Sequence, residues 1–180
     1  KYLVKVKPCF SCPIACGRVT KVPDGPYQGE GEGPEYETVY SLGSDVGVGD
    51  LAALTKANYL CNELGLDTIS MGSTIACAME LYEKGYLTET DIGFPLEWGD
   101  GEALVKLTRQ TGLREGFGDI LAEGSARAAA KLGKGEEFLI TAKGQEAPAH
   151  MPQVKRSLAL IYAVNPFGSD HESSDHDLTY

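Results

Sequence analysis

The sequence predicts a mainly α-helical protein, with a multihelical region that follows a short N-terminal segment of irregular or β-containing chain. From residue 50 onward, apolar residues recur at intervals of three and four, which places them on one face of an α-helix. Capping residues bracket these stripes, with aspartate at the start and glycine at the end. We therefore expect residues 1–49 to carry a cysteine loop and a glycine- and proline-rich segment, and residues 50–180 to form a helical domain within the same structural unit.

The N-terminal part begins with residues 1–7, where apolar side chains alternate with lysines and predict a short strand. Glycine and proline are frequent in residues 19–34, and we expect irregular chain over residues 19–32 that is too polar to be buried. A phosphate-binding loop is not indicated there, because no Lys-Ser/Thr pair follows and the local charge is negative.

Two long helices are predicted next. The first begins at Asp50 and ends at Gly65, and the second begins at Asp67 and ends at Gly85. Because only a few residues join these helices, we expect them to pack as an antiparallel pair. The remaining predicted elements are helices over residues 100–111, 119–132 and 155–164 and a short strand over residues 138–141.

Three clustered cysteines, Cys9, Cys12 and Cys16, are the leading candidates for metal ligands. Their C-x2-C-x3-C spacing lets sulfurs from one tight loop converge on a metal centre, and iron–sulfur clusters are held by cysteine thiolates. Pro13 and Gly17 favour the bent backbone that such a loop needs. The alternatives are a zinc site completed by a histidine and three free thiols that pack as small hydrophobic side chains.

Composition limits the class of protein. The net charge of −10, from 26 acidic and 16 basic residues, disfavours nucleic acid as a partner because a phosphate backbone would be repelled. No apolar run approaches the roughly 18 residues that indicate a membrane helix, and we recognise no signal peptide. Five cysteines, three of them clustered, argue against a disulfide framework and favour a reducing cytoplasm. Because the chain starts at lysine, we expect it to be an excised piece of a longer protein.

Further motifs occur in order along the chain: Gly-Pro-Glu-Tyr-Glu-Thr at residues 33–38, Asn-Glu-Leu-Gly-Leu-Asp-Thr-Ile-Ser at 62–70, Glu-Gly-Phe-Gly-Asp at 115–119 and Lys-Gly-Gln-Glu at 143–146. With the cysteine loop, they closely resemble the aldehyde:ferredoxin oxidoreductase family over nearly the whole chain. The resemblance implies a [4Fe–4S] cluster, a tungsten or molybdenum bis-pterin, and oxidation of an aldehyde, or a related acid or acyl compound, with ferredoxin as electron acceptor. The remainder of the parent enzyme and a second copy of the chain are further expected partners, and the isolated piece is expected to be inactive.

The resemblance also assigns roles to the cofactor ligands. Cys9, Cys12 and Cys16 match the three clustered ligands of the family, whose fourth cysteine lies outside this chain. Cofactor-binding residues are carried over to Asn62, Gly65, Leu66, Asp67 and Lys143. Asn62 stands where the family has aspartate, and an amide offers a pterin one acceptor and two donors instead of two acceptor oxygens. Gly65 and Asp67 have the alternative role of helix caps.

Two catalytic residues follow from the same resemblance. Glu37 matches a glutamate near the metal, where a carboxylate in a dry pocket can take up and release a proton; the alternative is a solvated surface side chain. His150 lies near the expected position of a catalytic histidine, with a structural role as its alternative. We expect Cys61 and Cys77 to be buried and inert on helix stripes. His171 and His176, with Asp170, Asp175 and Asp177, are interpreted as a solvated polar tail in preference to a hard-metal site.

Overall fold

The computed structural model describes residues 1–173. Its strands are β1 (Leu3–Val6), β2 (Arg18–Val22), β3 (Gly29–Glu32), β4 (Thr141–Ala142) and β5 (Gln145–Glu146), and its α-helices are α1 (Tyr36–Val39), α2 (Leu51–Leu64), α3 (Thr68–Glu83), α4 (Glu89–Ile92), α5 (Gly101–Leu113), α6 (Gly118–Leu121), α7 (Ser125–Leu132) and α8 (Arg156–Val164). A π-helical turn, Tyr40–Ser44, continues α1, and a 3₁₀ turn, Glu136–Phe138, precedes β4. The predicted mainly α class is confirmed, because only short strands accompany the helices.

The first three strands form an antiparallel sheet in the order β1-β2-β3, with Val6 opposite Arg18 and Val19 opposite Glu32. The prediction of irregular chain over residues 19–32 is therefore wrong for β2 and β3 and confirmed for residues 23–28 between them. The ring of Tyr59 from α2 packs on β3, where an added Cβ at Gly29 would lie 3.0 Å from it. Glycine thus belongs to this strand because a large aromatic ring lies directly against the backbone.

The two long helices start and stop as predicted. The Asp50 side chain accepts a hydrogen bond from the Ala52 amide, and Gly65 ends α2 in the left-handed region at a φ of 69°. The Asp67 side chain caps α3 by accepting from the Ser70 amide. Both ends obey local capping rules, which require no knowledge of the rest of the fold.

The predicted antiparallel pairing of these helices is wrong, because α2 packs mainly on α5 while α3 packs mainly on the π-helical turn. A glycine allows the close approach in each of these two packing contacts. A Cβ at Gly112 of α5 would lie 2.5 Å from the Leu64 side chain, and one at Gly72 of α3 would lie 2.3 Å from the Ser41 carbonyl oxygen. Each missing side chain lets a neighbouring element approach closely.

Two later predictions also differ from the structure. The helix expected over residues 119–132 is divided into α6 and α7, because Gly124 adopts a φ of 83° between them. The strand expected over residues 138–141 is replaced by the 3₁₀ turn and by the two-residue β4. The last predicted helix is confirmed as α8.

One hydrophobic core joins the helices to the segment that precedes them. Buried side chains of α2, α3, α5 and α7 pack together with Leu42, Val46 and Val48. The boundary between residues 1–49 and 50–180 stays a prediction. Within residues 1–173, no helix combines the length and the apolar composition that crossing a membrane requires.

Candidate functional site

A cleft of about 600 Å³ lies between the cysteine loop, α1 and the turn that joins α2 to α3. Its lining includes predicted site residues from separate parts of the sequence, namely Cys9, Cys16, Glu37, Asn62 and His150, together with His171. The cleft therefore brings thiols, a carboxylate, an amide and imidazoles to one place.

The cysteine loop connects β1 to β2 and is closed by a hydrogen bond from the Lys7 amide to the Gly17 carbonyl (2.9 Å). Ser11 and Ala15 adopt positive φ values of 57° and 54°. Non-glycine residues keep such strained backbone only where the surroundings enforce it, and they cluster at functional sites. The bent backbone expected from the sequence is thus present, although it uses positions other than Gly17 for its left-handed residues.

Arg18 ties this loop to α1. Its guanidinium donates to the Cys16 carbonyl at 2.8 and 3.2 Å and to the Glu35 carboxylate at 3.2 Å. Glu35 is the residue immediately before α1. The position of Cys16 is consequently linked to the helix that carries Glu37.

The three loop cysteines are free thiols, with Cys9 and Cys16 exposed and Cys12 partly so. In the part of the chain that the structure describes, the three sulfur atoms do not all lie within 4.8 Å of one another. One tetrahedral zinc would hold its sulfurs about 3.8 Å apart, because each Zn–S bond is about 2.3 Å long. A four-iron cluster instead binds each cysteine through a different iron atom. Three thiolates on one loop are the donor type that an iron–sulfur cluster uses.

The other two cysteines are different. Cys61 is buried, and burial raises the pKa of its thiol to about 12; burial likewise raises the pKa of Cys77, which is only partly buried, to about 11. Both side chains are therefore protonated thiols near neutral pH, whereas thiolates are the metal-binding form. The expectation of a buried thiol is confirmed for Cys61, whereas Cys77 is only partly buried and lines a separate cavity beside α3.

The Glu37 carboxylate lies in the wall of the cleft with only 12% of its side chain exposed. Oε2 accepts a hydrogen bond from the Ala149 amide at 2.8 Å. Oε1 is fully buried and lies 3.1 Å from His150 Nε2, although no described group donates to it with hydrogen-bond geometry. Glu37 is thus a nearly dry carboxylate beside an imidazole and not a solvated surface side chain.

Two tyrosines whose pKa values are raised in part by the Glu37 charge stay protonated near neutral pH. Burial, with contributions from Asp45 and then Glu37, raises the pKa of Tyr40 to about 12. Burial, followed by the charges of Glu37 and Asp170, raises the pKa of Tyr162 to about 12. The Tyr162 hydroxyl donates to the His150 carbonyl at 3.1 Å, so a neutral phenol helps to hold the imidazole-bearing residue.

α1 is fixed against the start of α3. The hydroxyls of Thr38 and Thr68 share a hydrogen bond of 2.8 Å, and the Ser41 hydroxyl donates to the Thr68 carbonyl at 2.9 Å. These contacts set the distance between Glu37 and the turn that follows Asn62.

His171 belongs to the same cluster, and its assignment to a solvated tail is wrong. Its imidazole is buried, its ring centroid is 5.0 Å from that of His150, and Nε2 is 3.1 Å from the Glu172 carboxylate. One carboxylate oxygen of Glu37 and one ring nitrogen each of His150 and His171 all lie within 4.8 Å of one another. His176, Asp175 and Asp177 lie outside the described residues.

The chain returns to the cleft through a turn after α8. The Asn165 side chain accepts from the Phe167 amide at 2.9 Å, and Gly168 adopts a φ of 101° while its backbone lies against the Ala142 carbonyl. An Asx turn followed by glycine indicates a reversal of the chain. The sequence Asn165-Pro-Phe-Gly168 could therefore have predicted that the chain reverses before His171. Where the reversed chain then lies depends on the packing of Gly168 against β4.

The stretch Asn62–Asp67 is divided between two cavities. Asn62 is exposed on the last turn of α2 and lines the cleft, whereas Gly65, Leu66 and Asp67 line an adjoining cavity of about 150 Å³. The two cavities flank the same turn, because Thr68 lines the first and Ser70 the second. The capping roles of Gly65 and Asp67 are present, and their binding roles stay predictions.

Lys143 does not line the cleft. Its ammonium donates to the carbonyls of Ala163 and Asn165 at 3.2 and 2.6 Å, where it satisfies acceptors at the C-terminal end of α8. In this structure Lys143 holds the segment that leads to His171, so it is not brought together with the other predicted cofactor-binding residues.

Comparison with known proteins shows which family the chain matches. The family described as "Aldehyde ferredoxin oxidoreductase, domains 2 & 3" matches residues 1–178. Tungsten-containing aldehyde ferredoxin oxidoreductases of Pyrococcus furiosus and Thermococcus kodakarensis are 49% and 47% identical to the chain, each over 95% of it. The chain spans 28% of the length of these relatives.

Two further matches act on other compounds according to their names. An aliphatic sulfonate oxidoreductase, WOR-like subunit, of Pyrococcus furiosus is 36% identical over 92% of the chain and 28% of its own length. A solved structure, the active site complex BamBC of benzoyl coenzyme A reductase with 1,5-dienoyl-CoA, has a TM-score of 0.75 and 27% identity, and the match covers 92% of this chain and 25% of that one.

Proposed function

Because the chain belongs to the aldehyde ferredoxin oxidoreductase family, we propose that it forms the cluster-binding and proton-handling part of an enzyme that oxidises small aldehydes, or related acids and acyl compounds. Electrons would pass from a tungsten bis-pterin, or its molybdenum counterpart, through a [4Fe–4S] cluster to ferredoxin. The chain spans 28% of its relatives, so the remainder of the parent enzyme completes the centre. The observation that carries the proposal is the shared cleft of Cys9, Cys16, Glu37 and Asn62.

The cluster would be held by Cys9, Cys12 and Cys16, with a fourth ligand from outside this chain. Three free thiols on one strained loop at the rim of the cleft support this assignment. Thiolates are the usual ligands of iron–sulfur clusters.

The pterin would contact the turn between α2 and α3. Asn62 offers its amide to the cleft, and Gly65 has no neighbouring atom within 4 Å of an added Cβ, so a ligand can approach its backbone. Leu66 and Asp67 lie on the same turn. Lys143 acts indirectly in this proposal, through its contacts at the end of α8.

Glu37 and His150 would exchange protons with the substrate. When bound, the tungsten bis-pterin supplies the two-electron redox chemistry. The nearly dry Glu37 carboxylate has one buried oxygen to which no group in residues 1–173 donates, and this oxygen can accept a proton. His150, 3.1 Å away, can receive that proton or stabilise the carboxylate as an imidazolium.

An aldehyde is the favoured substrate class because the relatives named for aldehydes are more similar to the chain than those named for a sulfonate or a coenzyme A thioester. The test is anaerobic purification of the intact enzyme, with analysis of tungsten, molybdenum, iron and sulfide and an assay of aldehyde-dependent reduction of ferredoxin. We expect tungsten or molybdenum, about four iron atoms per chain and reduced ferredoxin. A colourless protein with one zinc ion and no oxidation of aldehyde would contradict the proposal and favour a zinc-stabilised structural module.

A further inference from the structure

We propose that the cavity beside α3, which we call the α3 cavity, binds an alkylammonium group with Glu146 as its carboxylate partner. Cys77 and Glu146 line this cavity, and none of its lining residues lines the cleft described above. The inference therefore goes beyond the proposed function and does not depend on it. It assigns a role to a buried carboxylate that neither the cluster nor the catalytic residues use.

The lining of the α3 cavity is strongly acidic. The cavity has a volume of about 360 Å³ and lies between α3, the π-helical turn and residues 137–147. Its wall contains no lysine, arginine or histidine but four carboxylates, those of Asp45, Glu80, Glu137 and Glu146. A space lined by one sign of charge favours a ligand of the opposite sign, which is here a cation.

Glu146 presents an unused acceptor to this space. The residue is only 5% exposed, and Oε1 accepts hydrogen bonds from the Ser125 amide at 2.7 Å and from the hydroxyls of Ser125 and Thr74 at 2.6 and 3.4 Å. Within residues 1–173, no group donates to Oε2, and Oε2 is not one of the fully sealed atoms that lack a partner. Oε2 is therefore open to the α3 cavity, without the hydrogen bond that a buried polar atom normally has.

The negative charge of the wall is only partly balanced. Glu80 is paired with Lys84 at 3.4 Å. In the part of the chain that the structure describes, Asp45, Glu137 and Glu146 form no ion pair. Buried charges are normally paired, because an unpaired one is costly. An ammonium group in the cavity would supply the missing partner.

The thiol of Cys77 is subject to the same unbalanced charge. Burial, and then the charges of Glu146, Glu80 and Glu137, raise the pKa of this thiol to about 11. Three carboxylates thus act in the same direction on one point of the wall. The electrostatic potential inside the cavity is therefore negative where a ligand would lie.

Aromatic and apolar side chains fit the rest of such a ligand. The rings of Tyr40, Trp98 and Phe138 line the cavity, and the faces of aromatic rings attract ammonium groups. Ile140 is 73% and Trp98 39% exposed, so these two lie at the outer end, whereas the buried Glu146 lies at the inner end. This order suits an ammonium group at the inner end, with its methylene groups against the apolar wall towards solvent.

Two sources can supply this group. One is a free primary amine, and the other is a lysine side chain from the remainder of the parent enzyme, since this chain spans 28% of the length of its relatives. Both present the same CH₂–NH₃⁺ group, and both keep its charge at neutral pH, because the pKa of a lysine ammonium is about 10.4. Titration and lysine labelling of the intact enzyme distinguish the two sources.

The first measurement is isothermal titration calorimetry of the intact enzyme with butylamine at neutral pH, with butan-1-ol as the neutral control. If a free amine is the occupant, butylamine binds and butan-1-ol does not, and Glu146→Gln weakens the binding by about tenfold or more. Glu83→Gln is the matched control variant, because Glu83 is an exposed glutamate outside the cavity. Equal affinity of Glu146→Gln and this control for butylamine overturns the proposal.

The second measurement is acetylation of lysines under native conditions, read by peptide mass spectrometry. If a lysine from the remainder of the enzyme is the occupant, the wild type binds no butylamine. One lysine outside this chain is then protected in the wild type and in Glu83→Gln, but reacts in Glu146→Gln. If neither butylamine binding nor protection of a lysine depends on Glu146, the proposal is overturned.

Glutamine keeps an acceptor for the Ser125 amide, so we expect Glu146→Gln to fold. If it does not fold, the wild type decides. Selective binding of butylamine, or carbodiimide coupling of a lysine outside this chain to Glu146, supports the proposal, and the absence of both overturns it. None of these measurements requires oxidation of an aldehyde, so failure of the proposed function is distinguishable from failure of the ammonium site.

Discussion

The two oxygens of the nearly buried Glu37 carboxylate have different neighbours. One oxygen is bonded to the Ala149 amide, which fixes the orientation of the group, and the other lies against His150. Because the backbone amide and the imidazole belong to consecutive residues, the segment at 149–150 positions the carboxylate through both of its oxygens.

Replacement of Glu37 by glutamine separates these roles. The amide oxygen can still accept from Ala149, but the side chain can no longer take up a proton near neutral pH. We expect kcat of the intact enzyme to fall by about 100-fold or more, while KM, tungsten and iron content stay close to those of the wild type. Glu30→Gln, at an exposed glutamate paired with Lys21, is the control. Unchanged kcat in Glu37→Gln would remove Glu37 from the catalytic set.

The cysteines should differ in reactivity. In cluster-free protein at neutral pH, iodoacetamide should label Cys9, Cys12 and Cys16, which are exposed or partly exposed. Cys61 and Cys77 should react slowly because the pKa values of their thiols are raised to about 12 and about 11. Peptide mass spectrometry reads out each site, and rapid labelling of Cys61 before the loop cysteines would contradict the description of the core.

At this scale the sequence was informative wherever a side chain's role depends on its near neighbours. The cysteine spacing, the Glu37 motif and Asn62 were all identified, and they line one cleft. His171 was wrongly assigned to a solvated tail. Its burial depends on the packing of Gly168 against β4 and on its own contact with His150, and no local sequence pattern encodes these contacts. Lys143 was grouped with the cofactor residues although its partners lie at the end of α8.

Among the elements, the turn between α2 and α3 carries two functions on few residues. Gly65 ends one helix, Asp67 starts the next, and the same stretch flanks both cavities. Because asparagine caps helices about as well as aspartate does, Asp67→Asn should leave the free energy of unfolding within about 0.5 kcal/mol of the wild type.

The same substitution should weaken pterin retention, since a carboxylate acceptor is lost. Tungsten and pterin content after gel filtration, measured beside a thermal unfolding curve, distinguishes the two roles. Full retention of pterin in Asp67→Asn would show that Asp67 serves only as a helix cap.

The contact between α3 and the π-helical turn is a second test at this scale. A Cβ at Gly72 would lie 2.3 Å from the Ser41 carbonyl oxygen, where backbone must move to make room. We expect Gly72→Ala to reduce the free energy of unfolding by about 1–3 kcal/mol. Gly49→Ala is the control, because nothing lies within 4 Å of a Cβ there. Equal stability of both variants, by chemical denaturation, would contradict the close packing.

Helix ends were predictable and helix partners were not. Asp50, Gly65 and Asp67 act through hydrogen bonds to their own helices, so their signals are local. The pairing of α2 with α5 depends on Gly112 opposite Leu64, two residues far apart in the chain. The strands at β2 and β3 were missed for the same reason, because the Tyr59 ring of α2 supports them from outside the segment.

On the scale of the whole molecule, the chain combines a small sheet, a helical core and a cleft at their junction. The core supports the cleft from one side through α2 and α3, and the sheet holds the cysteine loop on the other. The mainly α class was predictable because the apolar residues from residue 50 onward follow helical periodicity. The location of the cleft was not, since it depends on how the loop, α1 and the terminal segment meet.

The central claim is that the loop cysteines hold an iron–sulfur cluster at this cleft. Electron paramagnetic resonance of the dithionite-reduced intact enzyme tests it most directly, with Cys9→Ala, Cys12→Ala and Cys16→Ala compared with Cys77→Ala. We predict a reduced-cluster signal in the wild type and in Cys77→Ala, and its loss or conversion to a different cluster signal in each loop variant. An unaltered signal in all three loop variants would contradict the account.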